Sequence, residues 1–565
     1  MRNNTSEEGA SLHWPHANPD ASAASIASAV INEDYHIMGQ DSIPAKSLAT
    51  LGQSIQQSQP PAAQTLSLAR ESVFVAVICL AQFLTQAGVG SVLAILPVLS
   101  ASLGITNRGV QAWLIAGYSL TVGTFILVSG RLGDLYGHKR VLLAGYAWFG
   151  AWSIIAGLAV YSGSVLFVFA RVLSGIGPSL MLPNALAILG VIYPPSPRKN
   201  LVFALFGAVA PGGCVVGAAL ASLFAITWWP WFFWVMGITL LAIAVLGYLV
   251  IPEDPRVLSG RSLSVLEFIE AVDALGGALG VTALVLVNFA WNQAGVVGWS
   301  EPYVYILLIL GVLLVPVFFW VEFRVARSPL LPFDVLNGEV GVVLVCIACG
   351  WGSFGVWIFY VFQFFEHTRG ASPLLATAWL SPVAITGALA SLTTAYLLGR
   401  AQPVTIMVIA MAAFTAGSII IATAPANQAY WGQSFVMSLV IPFGMDMSFP
   451  AASLIISNAV PREKQGVGMS LVNTVVNYSI SIALGFAGTV EIQVTKGDPG
   501  PGAALRGYRS AWYLGTGLAG LGLCFSVVNL AIIKIKARSK LPGGKVEGRF
   551  DLERVKPKSN PGDSC

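Results

Sequence analysis

The chain has 565 residues, of which 56% are hydrophobic and only 10% charged. A water-soluble domain carries about 25% charged residues, so this composition excludes a soluble globular enzyme and specifies a polytopic membrane protein. The formal net charge of +4 is small and spread over loops, which leaves no basic footprint for nucleic acid.

Residues 1–70 are rich in Ser, Ala, Gln and Pro and contain no sustained apolar run. They read as a disordered cytosolic tail without a cleavable signal peptide, so that the first apolar helix serves as the insertion signal. Fourteen apolar runs follow, near 73–99, 109–129, 141–160, 164–190, 201–225, 231–251, 274–292, 303–322, 341–365, 374–398, 404–422, 430–456, 467–490 and 511–533. A run of about 20 apolar residues crosses a bilayer as a helix. The expected fold is therefore all-α, with 14 transmembrane helices.

An even number of spans places both tails on one side. Loops on the side of residues 130–140 carry twelve basic residues: Arg131, Lys139, Arg140, Arg198, Lys199, Arg256, Arg261, Arg324, Arg327, Arg400, Arg462 and Lys464. The opposite loops carry five: Arg108, Arg369, Lys496, Arg506 and Arg509. The excess of Lys and Arg marks the cytoplasmic side, so both tails are expected inside. The tail over 535–565 is basic and polar, and Cys565 does not form a prenylation box.

Between spans 2 and 3 runs Gly130-Arg131-Leu132-Gly133-Asp134-Leu135-Tyr136-Gly137-His138-Lys139-Arg140. Its glycines permit close approach and a turn, and it reads as a tight polar hairpin. Asp134 is expected near the start of span 3, where a carboxylate suits the positive helix end. The stretch resembles the G-x-L-A-D-R-x-G-R-K-R signature of the major facilitator superfamily, with Gly133 for Ala and Leu135 for Arg. In span 4, Arg171-Val172-Leu173-Ser174-Gly175-Ile176-Gly177 resembles the superfamily's Arg-bearing helix. In span 5, Gly207, Pro211, Gly212, Gly213 and Gly217 resemble its antiporter motif, which implies export. Physically, such glycines allow close helix packing and the proline permits a bend. Trp229-Pro230-Trp231-Phe232-Phe233 resembles the aromatic start of helix 6.

Spans 7 and 8 exceed the superfamily's twelve-helix core. The motifs place six-helix halves at spans 1–6 and 9–14, which resembles the fourteen-helix drug:proton antiporter branch (6 + 2 + 6). The expected organisation is a tail over 1–70, an N-terminal half over 71–252, an inserted pair over 253–338, a C-terminal half over 339–534 and a tail over 535–565. A shift of 267 residues superposes Gly177, Pro183, Ala185, Ile188 and Pro194 on Gly444, Pro450, Ala452, Ile455 and Pro461. That pairs span 4 with span 12, as parallel half-repeats require. Ala81–Gly90, Pro442–Pro450 and Asn473–Ser479 are most similar to fungal aminotriazole-resistance-type transporters.

No nucleotide-binding P-loop or hydrolase elbow occurs in the sequence. The five histidines, His13, His16, His36, His138 and His367, fall outside the predicted spans and form no ligand cluster, so neither a metal nor a cofactor is expected. Of the six cysteines, five lie in apolar runs as small hydrophobes. This includes the C-x-x-C at Cys346 and Cys349.

Ionisable residues inside spans are costly and mark functional positions. Arg171 and Asp446 lie well inside and are the candidates for proton coupling, placed to face each other from paired helices. Asp273, Glu322 and Glu491 lie at span ends and read as caps or snorkelling groups. In the superfamily arrangement spans 1, 4, 9 and 12 line the central cavity. That implies Gln82, Gln86, Asn184, Trp351, Trp357, Tyr360 and Gln363 as substrate-facing. Gly130, Gly133, Asp134, Gly137, Lys139 and Arg140 form the implied conformational motif, with Asp134 fastening the inner ends of the two halves in the outward-open state.

The expected function is proton-coupled export of small toxic or secondary-metabolite compounds by alternating access. The partners are a small-molecule substrate, protons and the lipid bilayer. The expected state is a functional monomer, in the plasma membrane rather than the vacuolar membrane. The alternatives are an importer of a nutrient or siderophore, and a non-transporting receptor or scaffold on the same fold.

Overall fold

The structure, a computed structural model, describes residues 67–193, 197–253, 264–327, 329–331, 338–459, 465–496, 500 and 502–539. The expectations for residues 1–66 and 540–565 therefore lie outside the described residues.

Among the described residues, fourteen helices are long and apolar enough to cross a membrane. They are α1 (Leu68–Ala94), α2 (Arg108–Tyr136), α3 (His138–Tyr161), α4 (Ser164–Ile192), α5 (Leu201–Thr227), α6 (Pro230–Val250) and α7 (Ala274–Val297). The rest are α8 (Pro302–Arg324), α9 (Gly338–Thr368), α10 (Pro373–Leu398), α11 (Pro403–Ala422), α12 (Gln433–Ala459), α13 (Val467–Thr495) and α14 (Ala503–Lys536). No strand occurs among the described residues.

The starts of these helices follow local chemistry. Ser67, Asn107 and Ser372 accept bonds from the first-turn N–H groups of α1, α2 and α10, the preferred chemistry at that position. Pro230, Pro302, Pro373 and Pro403 open α6, α8, α10 and α11, where the missing N–H is not needed. Helix α4 is interrupted at Gly175. Pro178 cannot donate to Ser174 four residues back. Gly175 itself brings α4 against Tyr118 O and Thr121 Oγ1 of α2, atoms an added Cβ would strike at 2.5 and 2.2 Å.

The 130–140 stretch differs from its expected form. Helix α2 runs through Tyr136 and only Gly137, at φ +93°, breaks the chain before α3. Gly130, Gly133 and Asp134 are thus helical. Asp134 sits in the last turn of α2, at the end that disfavours a carboxylate, not at the start of α3. The hydrophobic run stops before the helix does, which apolarity alone cannot register.

Helices α1 to α6 pack among themselves, as do α9 to α14. Contact between these sets runs through α2 with α13, α5 with α10, and α1 with α9. Helix α7 lies against both α2 and α13, while α8 packs on α7 and turns Ile306, Ile309, Leu313 and Trp320 outward. A buried polar node holds α7 in place. Ser481 of α13 donates to Ala116 O of α2 at 2.7 Å and meets Asn288 Oδ1 of α7 at 2.8 Å. Asn292 Nδ2 donates to Asn288 Oδ1 and to Ser481 O. Polar bonds between membrane helices contribute about 1 kcal/mol. Ser481→Ala is expected to lower the thermal stability of detergent-solubilised protein by about that amount. An unchanged melting temperature would mean that apolar packing alone holds α7.

Candidate functional site

A cavity opens between the two six-helix sets. Its wall combines Gln86 of α1, Pro211 and Cys214 of α5, Trp351, Phe354 and Trp357 of α9, and Met445 and Asp446 of α12. Asp446 is half-buried, and its Oδ2 is shielded from solvent with no hydrogen-bond partner among the described residues. The aromatic faces give the cavity an apolar wall able to hold flat or cationic groups. Trp351 and Trp357 are fixed by their indole N–H groups, which reach Ser448 Oγ at 3.2 Å and Met437 Sδ at 2.9 Å.

Two prolines position Asp446. Pro442 and Pro450 lack an N–H and so leave the carbonyls of Ser438 and Asp446 without their helical partners. Thr386 and Thr394 of α10 reach these two carbonyls at 3.0 and 3.2 Å, sharing their hydroxyl protons with Pro382 O and Ala390 O of their own helix at 2.9 and 2.7 Å. The spacing of eight residues on both helices locks the register of α10 on α12. Gly387, between the two threonines, leaves the room that Asp446 uses. A Cβ there would lie 2.8 Å from Asp446 Oδ2 and 2.6 Å from Pro211 Cγ. The proline of the antiporter-like stretch and the carboxylate thus meet at one point.

The other residues of that stretch divide into two kinds. Gly213 and Gly217 face the backbone of Phe83 and Ala87 on α1, whereas a Cβ on Gly207 or Gly212 would meet nothing within 4 Å.

The remaining expected residues go elsewhere. Arg171 is 2% exposed and does not pair with Asp446. Its guanidinium donates to Gly88 O at 2.9 Å and Leu114 O at 3.4 Å and lies 4.4 Å from the centre of the Tyr118 ring. Gln86, Trp351 and Trp357 line the cavity; Gln82, Asn184, Tyr360 and Gln363 do not. Asn184 instead bonds His138 Nδ1, Ser129 Oγ and Leu180 O at the inner end of α4. Its Oδ1 occupies the space left by Gly133, where a Cβ would lie 1.8 Å away. Tyr360 donates to Glu491 Oε2 at 2.9 Å. Gln363 is 4% exposed, and its Nε2 has no partner among the described residues.

In the conformational motif Lys139 pairs with Glu253 at 2.8 Å, and Arg140 is exposed. Gly130 faces α13, where an added Cβ would lie 3.4 Å from Ser470 Oγ. Asp134 does not fasten the two helix sets in this state. Its side chain is 61% exposed and faces His138 Nε2 at 3.6 Å. The bridge across the sets lies instead at the opposite end, where Arg108 of α2 pairs with Glu491 of α13.

Of the acids expected to cap or snorkel, Asp273 caps α7 through Gly276 N at 3.1 Å. Glu322 and Glu491, each 3% exposed, do not snorkel: Glu322 accepts from Leu331 N at 3.3 Å, and Glu491 pairs with Arg108 and accepts from Tyr360. Two ionisable residues lie beyond the predicted end of span 9. Glu366 and His367 both fall within α9.

The matches to known proteins agree with this architecture. Residues 78–485 match the family model described as Major Facilitator Superfamily. A low affinity ammonium transporter of Saccharomyces cerevisiae is 52% identical over 458 residues, covering 81% of this chain and 88% of that protein. The efflux pump terJ of Aspergillus terreus is 45% identical, covering 82% of this chain and 88% of its own. The aminotriazole resistance protein of Saccharomyces cerevisiae is 38% identical, with 83% and 85% covered. Among solved structures, a peptide transporter POT in complex with sulfate shares the fold, with a TM-score of 0.57 at 16% identity over 82% of this chain and 95% of that one. With its helical fold, its fourteen spans and these relatives, the chain belongs to the Major Facilitator Superfamily, in the fourteen-helix branch that includes fungal efflux and resistance transporters, and is a membrane transporter and not an enzyme.

Proposed function

We propose that this transporter exports small toxic or metabolic compounds in exchange for protons, by rocking of its two six-helix halves around the cavity at Asp446. The observation that carries this reading is the shielded, unpartnered Oδ2 of Asp446 in an aromatic cavity between the helix sets. A carboxylate so placed is costly when charged, and binding a proton removes that cost. Alternation of the cavity between wet and dry then exchanges protons with opposite sides of the membrane. The contact of Pro211 with Gly387 beside Asp446 supports a link between the antiporter-like stretch and this carboxylate.

The test is efflux of an amphipathic toxin from cells expressing the protein. Expression should lower cell-associated toxin, and a protonophore should abolish the effect. Efflux that persists with protonophore and stops only on ATP depletion contradicts the reading. A second reading is movement of a small cation, favoured by the 52% identity to the protein named as a low affinity ammonium transporter. Ammonium-dependent growth in a transport-deficient host, with no change in toxin content, would select it.

The same reading has the halves at 71–252 and 339–534, the pair 253–338 inserted, both tails cytoplasmic, and a monomer acting in the plasma membrane. A cysteine introduced at Gly500 should react with an impermeant reagent in intact cells, and one at Gly137 should not. The reverse labelling inverts the topology.

A further inference from the structure

The end of the molecule away from the 130–140 stretch carries ionisable groups that the Asp446 site does not use. Helix α9 ends there in a π-turn over Phe364–Thr368, closed by Arg369 N reaching Phe364 O, five residues back, at 3.1 Å. Such turns are rare and frequently found at functional sites. Glu366 sits within it. Both of its carboxylate oxygens are shielded from solvent and have no hydrogen-bond partner among the described residues. Burying a charged carboxylate in this way is strongly disfavoured, whereas a protonated one is tolerated.

The groups around Glu366 come from four helices. Helix α14, which carries Tyr508, packs against the π-turn. Arg108 of α2 stands 5.5 Å from the centre of the Tyr508 ring. Arg108 is already paired with Glu491 of α13, which also accepts Tyr360 OH of α9. On α9 itself the neighbouring ionisable group is His367, which is exposed. Arg369 directs its guanidinium to Ala426 O, Ser434 Oγ and Pro425 O. The first segment of α10, Pro373–Leu380, contributes no ionisable residue. Glu366 thus lies at the same end as the ion pair that bridges the two helix sets, and neither of its oxygens is bonded to a cation among the described residues.

We propose that Glu366 is a second proton-binding site, and that it must take up a proton for this end of the transporter to close. When the end opens, water and Arg108 reach the carboxylate and the proton leaves. When it closes, Arg108 returns to Glu491 and Glu366 is sealed in as the neutral acid. The proposal rests on the alternating-access part of the reading above and not on any substrate.

The linkage has a definite sign. Closure binds one proton, so acid favours the closed end, and the open-to-closed ratio changes by up to tenfold per pH unit. Protonation of Glu491 would do the opposite, because it breaks the bond to Arg108 and favours opening. The two carboxylates are thus distinguishable by the direction of the effect.

The experiment places spin labels on either side of this end, by Thr106→Cys and Asn427→Cys, both at solvent-accessible positions. The host is full-length protein with its native cysteines replaced. Double electron–electron resonance then gives the open and closed populations against pH. The wild-type background should close as pH falls. Glu366→Gln, a permanent mimic of the neutral acid, should remain closed across the range, and Glu366→Asp should restore the pH dependence. Two populations whose ratio ignores pH, a ratio that opens on acidification, or an unaltered pH response in Glu366→Gln overturns the proposal. One fixed distance at every pH in the wild type, Glu366→Gln, Arg108→Gln and Glu491→Gln alike overturns the alternating-access reading with it.

Discussion

Asp446→Asn is expected to abolish concentrative efflux while leaving downhill exchange and protein level intact. Reconstituted vesicles with an imposed pH gradient should drive substrate accumulation by the wild type and bring the variant to a ratio of about 1, the equilibrium value without coupling. The substitution removes the proton-binding oxygen and little else. Asn keeps the size of Asp, and the bond from Thr394 is made to the backbone carbonyl of residue 446, which the change does not touch. The aromatic wall of Trp351, Phe354 and Trp357 also stays, so substrate binding should survive. Exchange by the variant should lose the part of the pH dependence that Asp446 contributes. Thr394→Val provides the contrast, since it removes the bond that positions Asp446 but not the carboxylate. One neutral hydrogen bond contributes about 1 kcal/mol, so a loss of several-fold in rate with coupling retained is expected. Undiminished accumulation by Asp446→Asn would place the coupling proton on another group.

The number and type of the helices were legible because each apolar run is long and the bilayer fixes the length needed to cross it. Their ends were less so. The apolar run of span 9 stops at residue 365, yet α9 continues to Thr368, and the charged Glu366 and His367 are what ended the run. The criterion that finds a span thus excluded the acid buried at its tip. Asn184 is a polar residue in an apolar span, which in sequence is indistinguishable from a cavity residue. It is consumed by His138 and Ser129, residues distant in the chain. The expected Arg171–Asp446 pair followed from half-repeat symmetry, but a guanidinium can equally bond carbonyls and lie over a ring, as Arg171 does with Gly88, Leu114 and Tyr118. One signal was present and unread. Pro442 and Pro450 are eight residues apart, as are Thr386 and Thr394, and prolines that free carbonyls invite hydroxyl donors from a neighbouring helix.

Gly217→Val is expected to remove most of the protein from the membrane, whereas Gly207→Ala and Gly212→Ala should leave its level near that of the wild type. All three positions belong to one glycine-rich stretch, so the contrast tests packing and not composition. Helices α1 and α5 approach backbone to backbone. A Cβ on Gly217 would lie 2.4 Å from both Cα and O of Ala87, and one on Gly213 2.3 Å from Phe83 O. From the other side, a Cβ on Gly90 would lie 2.1 Å from Cys214 O. These neighbours are main-chain atoms and cannot swing aside, so the helices must separate to admit even a methyl group. Close approach at small residues is the main source of attraction between helices in a bilayer, where lipid removes the hydrophobic drive. Overpacking a tight interior costs about 1–3 kcal/mol and more where the backbone must move, a large share of a total stability of roughly 5–15 kcal/mol. Gly213→Ala should fall between the extremes. The measurement is the amount of monodisperse protein recovered from membranes, with its melting temperature. Equal recovery of Gly217→Val and wild type would show that α1 and α5 can part without loss, and the tight glycines would then need a role in motion instead of assembly.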